Sequence, residues 1–300
     1  MEWTETLKRT VDYLEAHLLD EGAAEQAAEA AHLSPFYLQK GFKLVTGYSM
    51  GEYVRNRRLY LAGLEVIAGR EKIIDLAYRY GYDTPESFSK AFRRFHGVSP
   101  AQLRQCPERL VPFLPMQITL TIRGGQGMDF TVEKMDGWQV IGVEREFSAE
   151  TSYQEIPRFW DEFIEQRCAP LWAGKKPETA LERAVCECGI GEYGVCIDSG
   201  PVPGRFRYLI AGLYDGREVP EGLKVFSFPA LEWAKFRCSG PMPESLQSVN
   251  TKIFREWLPG NPDYEIAGGF NIEWYSMEKD TNAADYESGI WIPVNRRAKG

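Results

Sequence analysis

The chain has 300 residues, 44% of them hydrophobic and 26% charged, which is enough for about two domains and too apolar for a disordered chain. Its net charge of −8 lies beyond residue 110, because residues 1–110 hold 15 basic and 15 acidic side chains. The acidic part should repel DNA and favour cationic ligands. No apolar run reaches the roughly 18–20 residues of a membrane span and no secretory signal opens the chain, so we expect a cytoplasmic protein with six reduced cysteines.

The N-terminal part contains a repeat. Residues 37–50 align with residues 87–100 at an offset of 50, which matches lysine, phenylalanine, glycine and serine positions in the two copies. Each copy predicts a helix, a short turn and a second helix. Ser34 and Thr84 are the expected N-caps of the second helices, a proline follows each cap, and a glycine ends each helix.

The second helix of each copy has two faces. Leu38 and Phe42 in the first copy, like Phe88 and Phe92 in the second, begin an apolar stripe that we expect in the core. The other face carries Phe36, Lys40 and Lys43 in the first copy, and Glu86, Lys90 and Arg93 in the second. A single charged helix face is usually solvated, but two such faces at the same spacing favour entry into the major groove of DNA.

A long connecting helix is expected between the two copies, with an apolar stripe of its own. It carries Arg55, Arg57 and Arg58, which either contact DNA phosphates or are solvated. The helix would fix the spacing of the two basic helices.

The segment from about residue 5 to 107 resembles the AraC/XylS-type DNA-binding domain. The match is carried by LSPFYLQKGFKLVTGYSMGEYVRNRRL at 33–59 and AYRYGYDTPESFSKAFRRFHGVSPAQLR at 77–104. The resemblance implies seven helices, two recognition helices in successive major grooves of double-stranded DNA, and transcription activation with RNA polymerase. The family positions that contact DNA fall here on Phe36, Gln39, Lys40, Glu86 and Lys90.

A change of composition marks a domain boundary after the second copy. Prolines follow the last predicted helix and a glycine-rich run comes soon after. We therefore expect a DNA-binding domain at 1–108, a linker at 109–127 and a second domain at 128–296. The second domain shows the order strand, strand, helix, strand, strand twice, which predicts an α+β domain of two pseudo-symmetric strand-helix-strand units. The expected fold class is therefore multidomain: an all-α double helix-turn-helix domain followed by this α+β domain.

A glutamate in the middle of a predicted strand is the unusual feature of the second domain. Strand alternation places Glu273 with Asn271 and Tyr275 on the face opposite Ile272 and Trp274. Such a glutamate is either solvated on an exposed strand face or lies at the base of a pocket lined by the many aromatic residues nearby. In the second case the carboxylate and the rings would both attract a cation.

Residues 128–296 resemble the GyrI-like effector-binding domain, also found in Rob-type and BmrR-type regulators. The motifs are Y-x-E-I-P-x-F-W at 153–160, Y-G-V at 193–195, E-W-Y at 273–275 and I-W-I-P-V at 290–294. The resemblance implies that Glu273 is the carboxylate that binds a small, cationic or aromatic effector. The ring residues that it implies for the pocket are Tyr153, Trp160, Tyr208, Trp274 and Trp291.

Other chemistry receives less support. The cysteines lack C-x-x-C pairs and the three histidines all precede residue 100, so no metal site is predicted; no cofactor loop or catalytic triad is found either. The sequence predicts a ligand-responsive transcription regulator that is not an enzyme. Two alternatives for the second domain stay open: a hydrolase that uses Glu273 with Tyr275 or Tyr153, and a protein-interaction module without a ligand.

Overall fold

The computed structural model describes residues 3–31, 34–118, 128–149, 151–199 and 205–297. The chain divides into two compact units. The helical unit comprises residues 3–31 and 46–118, and the sheet unit comprises Ser34–Val45 with the described residues from 128 onward. Part of the predicted linker, 119–127, lies outside the described residues.

The first seven α-helices precede every described strand, and the remaining helices lie between strands. The helices are α1 (Trp3–Ala16), α2 (Ala23–Ala30), α3 (Pro35–Thr46), α4 (Met50–Ala68), α5 (Ile73–Arg79), α6 (Pro85–His96), α7 (Pro100–Gln105), α8 (Ser152–Phe163), α9 (Ala169–Trp172), α10 (Ala180–Glu187), α11 (Glu244–Lys252) and α12 (Leu258–Gly260). The strands are β1 (Phe130–Met135), β2 (Trp138–Ser148), β3 (Tyr193–Asp198), β4 (Arg205–Leu213), β5 (Lys224–Phe228), β6 (Leu231–Ser239), β7 (Tyr264–Ile266), β8 (Phe270–Tyr275) and β9 (Glu287–Arg296).

In the helical unit, α5 and α6 form the predicted second helix-turn-helix. The Thr84 side chain accepts from the N–H of Ser87 and caps α6, and Gly97 ends it with φ +76°, a conformation that glycine adopts without strain. Phe88 and Phe92 are fully buried in a core shared with α4, α5 and α7. The apolar stripe expected from the sequence is therefore confirmed for this helix.

Of the three arginines of the connecting helix, Arg55 is exposed, whereas Arg57 and Arg58 make hydrogen bonds within the helical unit. Arg57 on α4 is buried, donates to both carboxylate oxygens of Glu15 at 2.7 and 2.8 Å, and donates to the Phe113 carbonyl. Arg58 donates to the carbonyls of Leu18 and Asp20. The Arg57 guanidinium is held inside the helical unit, so the expectation of phosphate contact or simple solvation was wrong for Arg57. Arg58 is partly buried, and its contact with DNA phosphates stays a prediction.

In the sheet unit, the described strands form one antiparallel sheet in the order β1-β6-β9-β8-β3-β4-β2-β5, with β7 on β9. The predicted repeat is present, because β2, β4 and β3 mirror β6, β9 and β8 about the central β3–β8 pair. The first strand of each half crosses to the other half: β1 pairs with β6, and β5 pairs with β2. One face of the sheet carries an aromatic core around Trp233, Phe228 and Ile272.

No helix in the described part of the chain is both long and apolar enough to cross a membrane.

Candidate ligand-binding site

The sheet unit contains a cavity of about 460 Å³. Its walls come from α3, α8, α9, α11, β8 and the segment that follows β8, and most of the lining side chains are apolar or aromatic. Glu273 on β8 is one of the few acidic lining residues. A concave, mainly apolar site with few polar groups is typical of small-molecule binding.

Two tyrosines fix the Glu273 carboxylate. Tyr208 donates to Glu273 Oε2 at 2.9 Å and Tyr275 donates to the same oxygen at 2.8 Å. Trp160 Nε1 on α8 in turn donates to the Tyr208 hydroxyl at 3.0 Å. Both hydrogen bonds reach Oε2, and among the described residues none reaches Oε1. The network sets the position of the carboxylate before any ligand arrives.

A glycine makes room for this network. Gly194 on β3 pairs across the sheet with Glu273. A Cβ atom at Gly194 would lie 2.1 Å from the Tyr208 hydroxyl and 3.1 Å from Glu273 Oε2. Only a residue without a side chain lets the tyrosine lie over the strand and reach the carboxylate.

The tyrosines around the carboxylate stay protonated. Desolvation, and then the charge of Glu273, raise the pKa of Tyr208 and of Tyr275 well above the ordinary value. The same two causes raise the pKa of Tyr153 to about 12. Because these hydroxyls keep their protons over the whole physiological range, Tyr208 and Tyr275 remain hydrogen-bond donors to the carboxylate.

The structure brings together part of the predicted pocket. Glu273, Tyr153 and Trp160 line the cavity. Tyr208 is fully buried behind the carboxylate and orients it. Their role in binding a ligand stays a prediction.

Trp274 and Trp291 do not line the cavity, which corrects the predicted set of pocket rings. Ile272 pairs directly with Trp291 across β8 and β9, and Trp274 lies on the same sheet face as Ile272. Trp274 donates instead to Glu192 at 3.1 Å, and Trp291 packs against the core on that face. Strand alternation puts Trp274 on the face opposite Glu273, and the pairing of Trp291 with Ile272 puts the second ring on that same face.

Several residues that line the cavity were not predicted from the sequence. Helix α8 turns Ile156, Pro157 and Trp160 toward the cavity, and Phe163 follows at helical spacing, so an apolar stripe was available as a signal. Trp172, Met242 and Met277 also line the cavity. Met277 lies in an irregular segment, and no local pattern marks it.

The predicted DNA-binding residues fall into two groups. On α6, Glu86, Lys90 and Arg93 are exposed on the side opposite the buried stripe. On α3, the equivalent residues line the cavity of the sheet unit: Phe36, Gln39, Lys40 and Lys43. Their contacts with DNA stay a prediction for both helices.

No group of three or more His, Cys, Asp or Glu residues within the described ranges could hold a metal ion.

The chain thus combines a helical region that contains a helix-turn-helix with a sheet domain whose cavity is lined by a carboxylate. A helix-turn-helix domain model matches residues 27–105. The chain belongs to the family of integron-associated effector binding proteins, whose model matches residues 131–294. The prediction of an AraC-type helix-turn-helix region followed by a GyrI-like domain is confirmed.

Two curated proteins and one solved structure are similar to parts of the chain. The right origin-binding protein of Escherichia coli K12 is 28% identical over 165 residues, which cover 51% of this chain and 54% of that protein. The chain thus spans about half the length of this relative. Regulatory protein SoxS of Salmonella typhimurium is 31% identical over 104 residues, 35% of this chain and 97% of SoxS. The structure of SAV2435 bound to tetraphenylphosphonium has a TM-score of 0.44 at 16% identity and covers 56% of this chain and 94% of that one.

Proposed function

We propose that this protein is a cytoplasmic, DNA-binding transcription regulator whose C-terminal domain binds a bulky lipophilic cation. The N-terminal region binds double-stranded DNA and acts as an activator together with RNA polymerase. The observation that carries the ligand assignment is the Glu273 carboxylate, oriented by Tyr208 and Tyr275 in a cavity with mainly apolar walls.

The physical argument concerns the charge and the shape of the ligand. The half-buried Glu273 carboxylate lies among apolar side chains and has lost part of its hydration. Attraction to a positively charged ligand offsets the free-energy cost of that lost hydration. The rings of Tyr153, Trp160 and Trp172 on the cavity wall add cation–π attraction of about 0.5–2 kcal/mol. A cation whose charge is spread over an aromatic framework gives up little hydration on entry. Such a ligand fits both the carboxylate and the rings.

Tryptophan fluorescence of the full chain tests this proposal, since Trp160 and Trp172 line the cavity. Tetraphenylphosphonium should quench the emission saturably, whereas tetraphenylborate, an anion of the same shape, should not. Glu273→Gln should weaken tetraphenylphosphonium binding by about tenfold or more, equivalent to about 1.4 kcal/mol. Glu278→Gln is the matched control, because Glu278 is exposed and does not line the cavity. Equal affinity of the two variants would contradict the proposal.

Hydrolysis is a second candidate function, favoured by the 2.8 Å hydrogen bond between Tyr275 and Glu273. A positioned glutamate can act as a general base for an attacking water molecule. The test is release of p-nitrophenol from p-nitrophenyl butyrate by the wild-type chain and by Glu273→Gln. Turnover that disappears in the variant would support an enzyme, and equal background rates would remove this candidate.

A domain that contacts only other proteins is less well supported. Such a module has no need of an open cavity, and here about 460 Å³ lies beside an oriented carboxylate. The cavity therefore supports a small-molecule ligand.

A further inference from the structure

Helix α3 carries four of the seven predicted DNA-binding residues, yet both of its ends are hydrogen-bonded to side chains that follow residue 128 in the sheet unit. At the N-terminus, Asp198 Oδ2 accepts from the Ser34 hydroxyl at 2.6 Å and from the Phe36 N–H at 3.4 Å. At the C-terminus, Arg255 Nε donates to the Leu44 carbonyl at 2.8 Å. A carboxylate at the first turn and a guanidinium at the last turn also match the sign of the helix dipole.

One side of α3 is occupied as well as its ends. The Tyr37 hydroxyl donates to the Phe270 carbonyl at 2.6 Å. The Phe36 ring is only 6% exposed and packs on Phe206 of β4, with 5.3 Å between ring centroids. Phe36 was predicted to contact DNA, and a ring buried in this way cannot enter a DNA groove. In this position α3 does not present its predicted DNA-binding face.

Two lysines of α3 line the cavity that holds Glu273. Lys40 Nζ donates to Asn271 Oδ1 at 3.4 Å, and Asn271 lies two residues from Glu273 on the same strand. Lys43 Nζ lies 5.4 Å from the centroid of the Tyr153 ring. A cation seated against Glu273 and these rings would meet two ammonium groups on the same wall, and the like charges would repel one another.

We propose that the sheet unit holds α3 away from DNA in the ligand-free chain, and that a cation in the cavity releases it. The inference rests on the cation site proposed above and adds its regulation. The cation binds more tightly when Lys40 and Lys43 have left the cavity wall, and DNA binds only when α3 is released. Because both ligands favour the same state, each raises the affinity for the other by an equal factor.

Hydrogen–deuterium exchange of the full chain tests the release without DNA. The amides of α3 should be protected in the ligand-free protein and should exchange faster when tetraphenylphosphonium is saturating. The amides of α6, which is part of the helical unit, serve as the internal control and should not change. Saturation of the cavity with no change in α3 exchange would overturn the inference.

DNA affinity provides a test without ligand. Arg255→Ala removes the hydrogen bonds at the C-terminus of α3 and changes no predicted DNA-binding residue. It should raise ligand-free affinity for a duplex selected from a random pool by about five- to tenfold, measured by fluorescence anisotropy. Arg237→Ala is the matched control, because Arg237 is exposed and paired with Glu287 on the same sheet.

The direction of the Arg255→Ala effect is diagnostic. Loss of a positive charge by itself weakens DNA binding, so a gain can come only from release of α3. If Arg255→Ala binds DNA no better than Arg237→Ala, α3 is not held back by this contact. Failure of the cation site would appear separately, as absence of tetraphenylphosphonium binding to the wild-type chain.

Discussion

Replacing Gly194 with alanine places a methyl group where Tyr208 now lies. The new Cβ atom would be 2.1 Å from the Tyr208 hydroxyl oxygen and 2.9 Å from its Cζ atom, while Tyr208 is fully buried. The ring must therefore move, and it then loses its hydrogen bonds to Glu273 and from Trp160.

The expected cost follows from these contacts. Overpacking a buried site costs about 1–3 kcal/mol. A lost hydrogen bond to a charged group adds about 1.5–3 kcal/mol. We therefore expect Gly194→Ala to reduce the free energy of unfolding of the C-terminal domain by about 2.5–6 kcal/mol. It should also weaken binding of a cationic ligand, because the carboxylate loses its orientation.

Urea unfolding followed by tryptophan fluorescence measures this effect in the C-terminal domain, since every tryptophan except Trp3 lies beyond residue 128. Gly260→Ala is the matched control, because a Cβ atom there would meet nothing within 4 Å. Adding Tyr208→Phe to Gly194→Ala removes the atom in closest contact, so the double variant should lose less than the sum of the single losses. A Gly194→Ala chain as stable as Gly260→Ala, with unchanged emission, would refute this account of Gly194.

Three further predictions concern the helical unit. Lys90→Ala should weaken DNA binding by about 1–3 kcal/mol in anisotropy titrations if the side chain contacts a base, whereas Lys72→Ala, outside the predicted recognition face, should bind as the wild type does. Burial lowers the pKa of His96, so unfolding free energy should fall as the pH drops below about 6.5, and His96→Gln should remove that dependence. Desolvation raises the pKa of Glu15, but hydrogen bonds from Arg57 and Tyr53 leave that pKa below its usual value. The ionised carboxylate therefore stabilises the fold, and the unfolding free energy should fall as the pH drops below about 4.5. Glu15→Gln should remove this pH dependence.

Much of the architecture was predictable because it depends on local patterns. The apolar stripe of α6, its Thr84 cap and its terminal glycine are all encoded within one short segment. The exchange of β1 and β5 between the two halves was not predictable, because the sequence of a strand does not say which distant strand it pairs with.

The site was predictable in part. Glu273 stood out because a charged residue interrupts an apolar strand, and the same alternation places Trp274 on the opposite face. The family resemblance implied Trp274 as a pocket ring, whereas the strand places this ring on the opposite face of the sheet. The position of α3 depends on contacts with Asp198 and Arg255, which lie more than 150 residues away in the chain. Local sequence patterns do not predict such distant contacts.

A crystal of the full chain grown in the presence of tetraphenylarsonium tests the central claim most directly, because arsenic gives an anomalous signal that locates the cation. We expect one strong peak inside the cavity, next to Glu273 and the Trp160 ring, and a clearly weaker peak in Glu273→Gln crystals. A peak elsewhere, or an equal peak in the variant, would contradict a cation site built on Glu273.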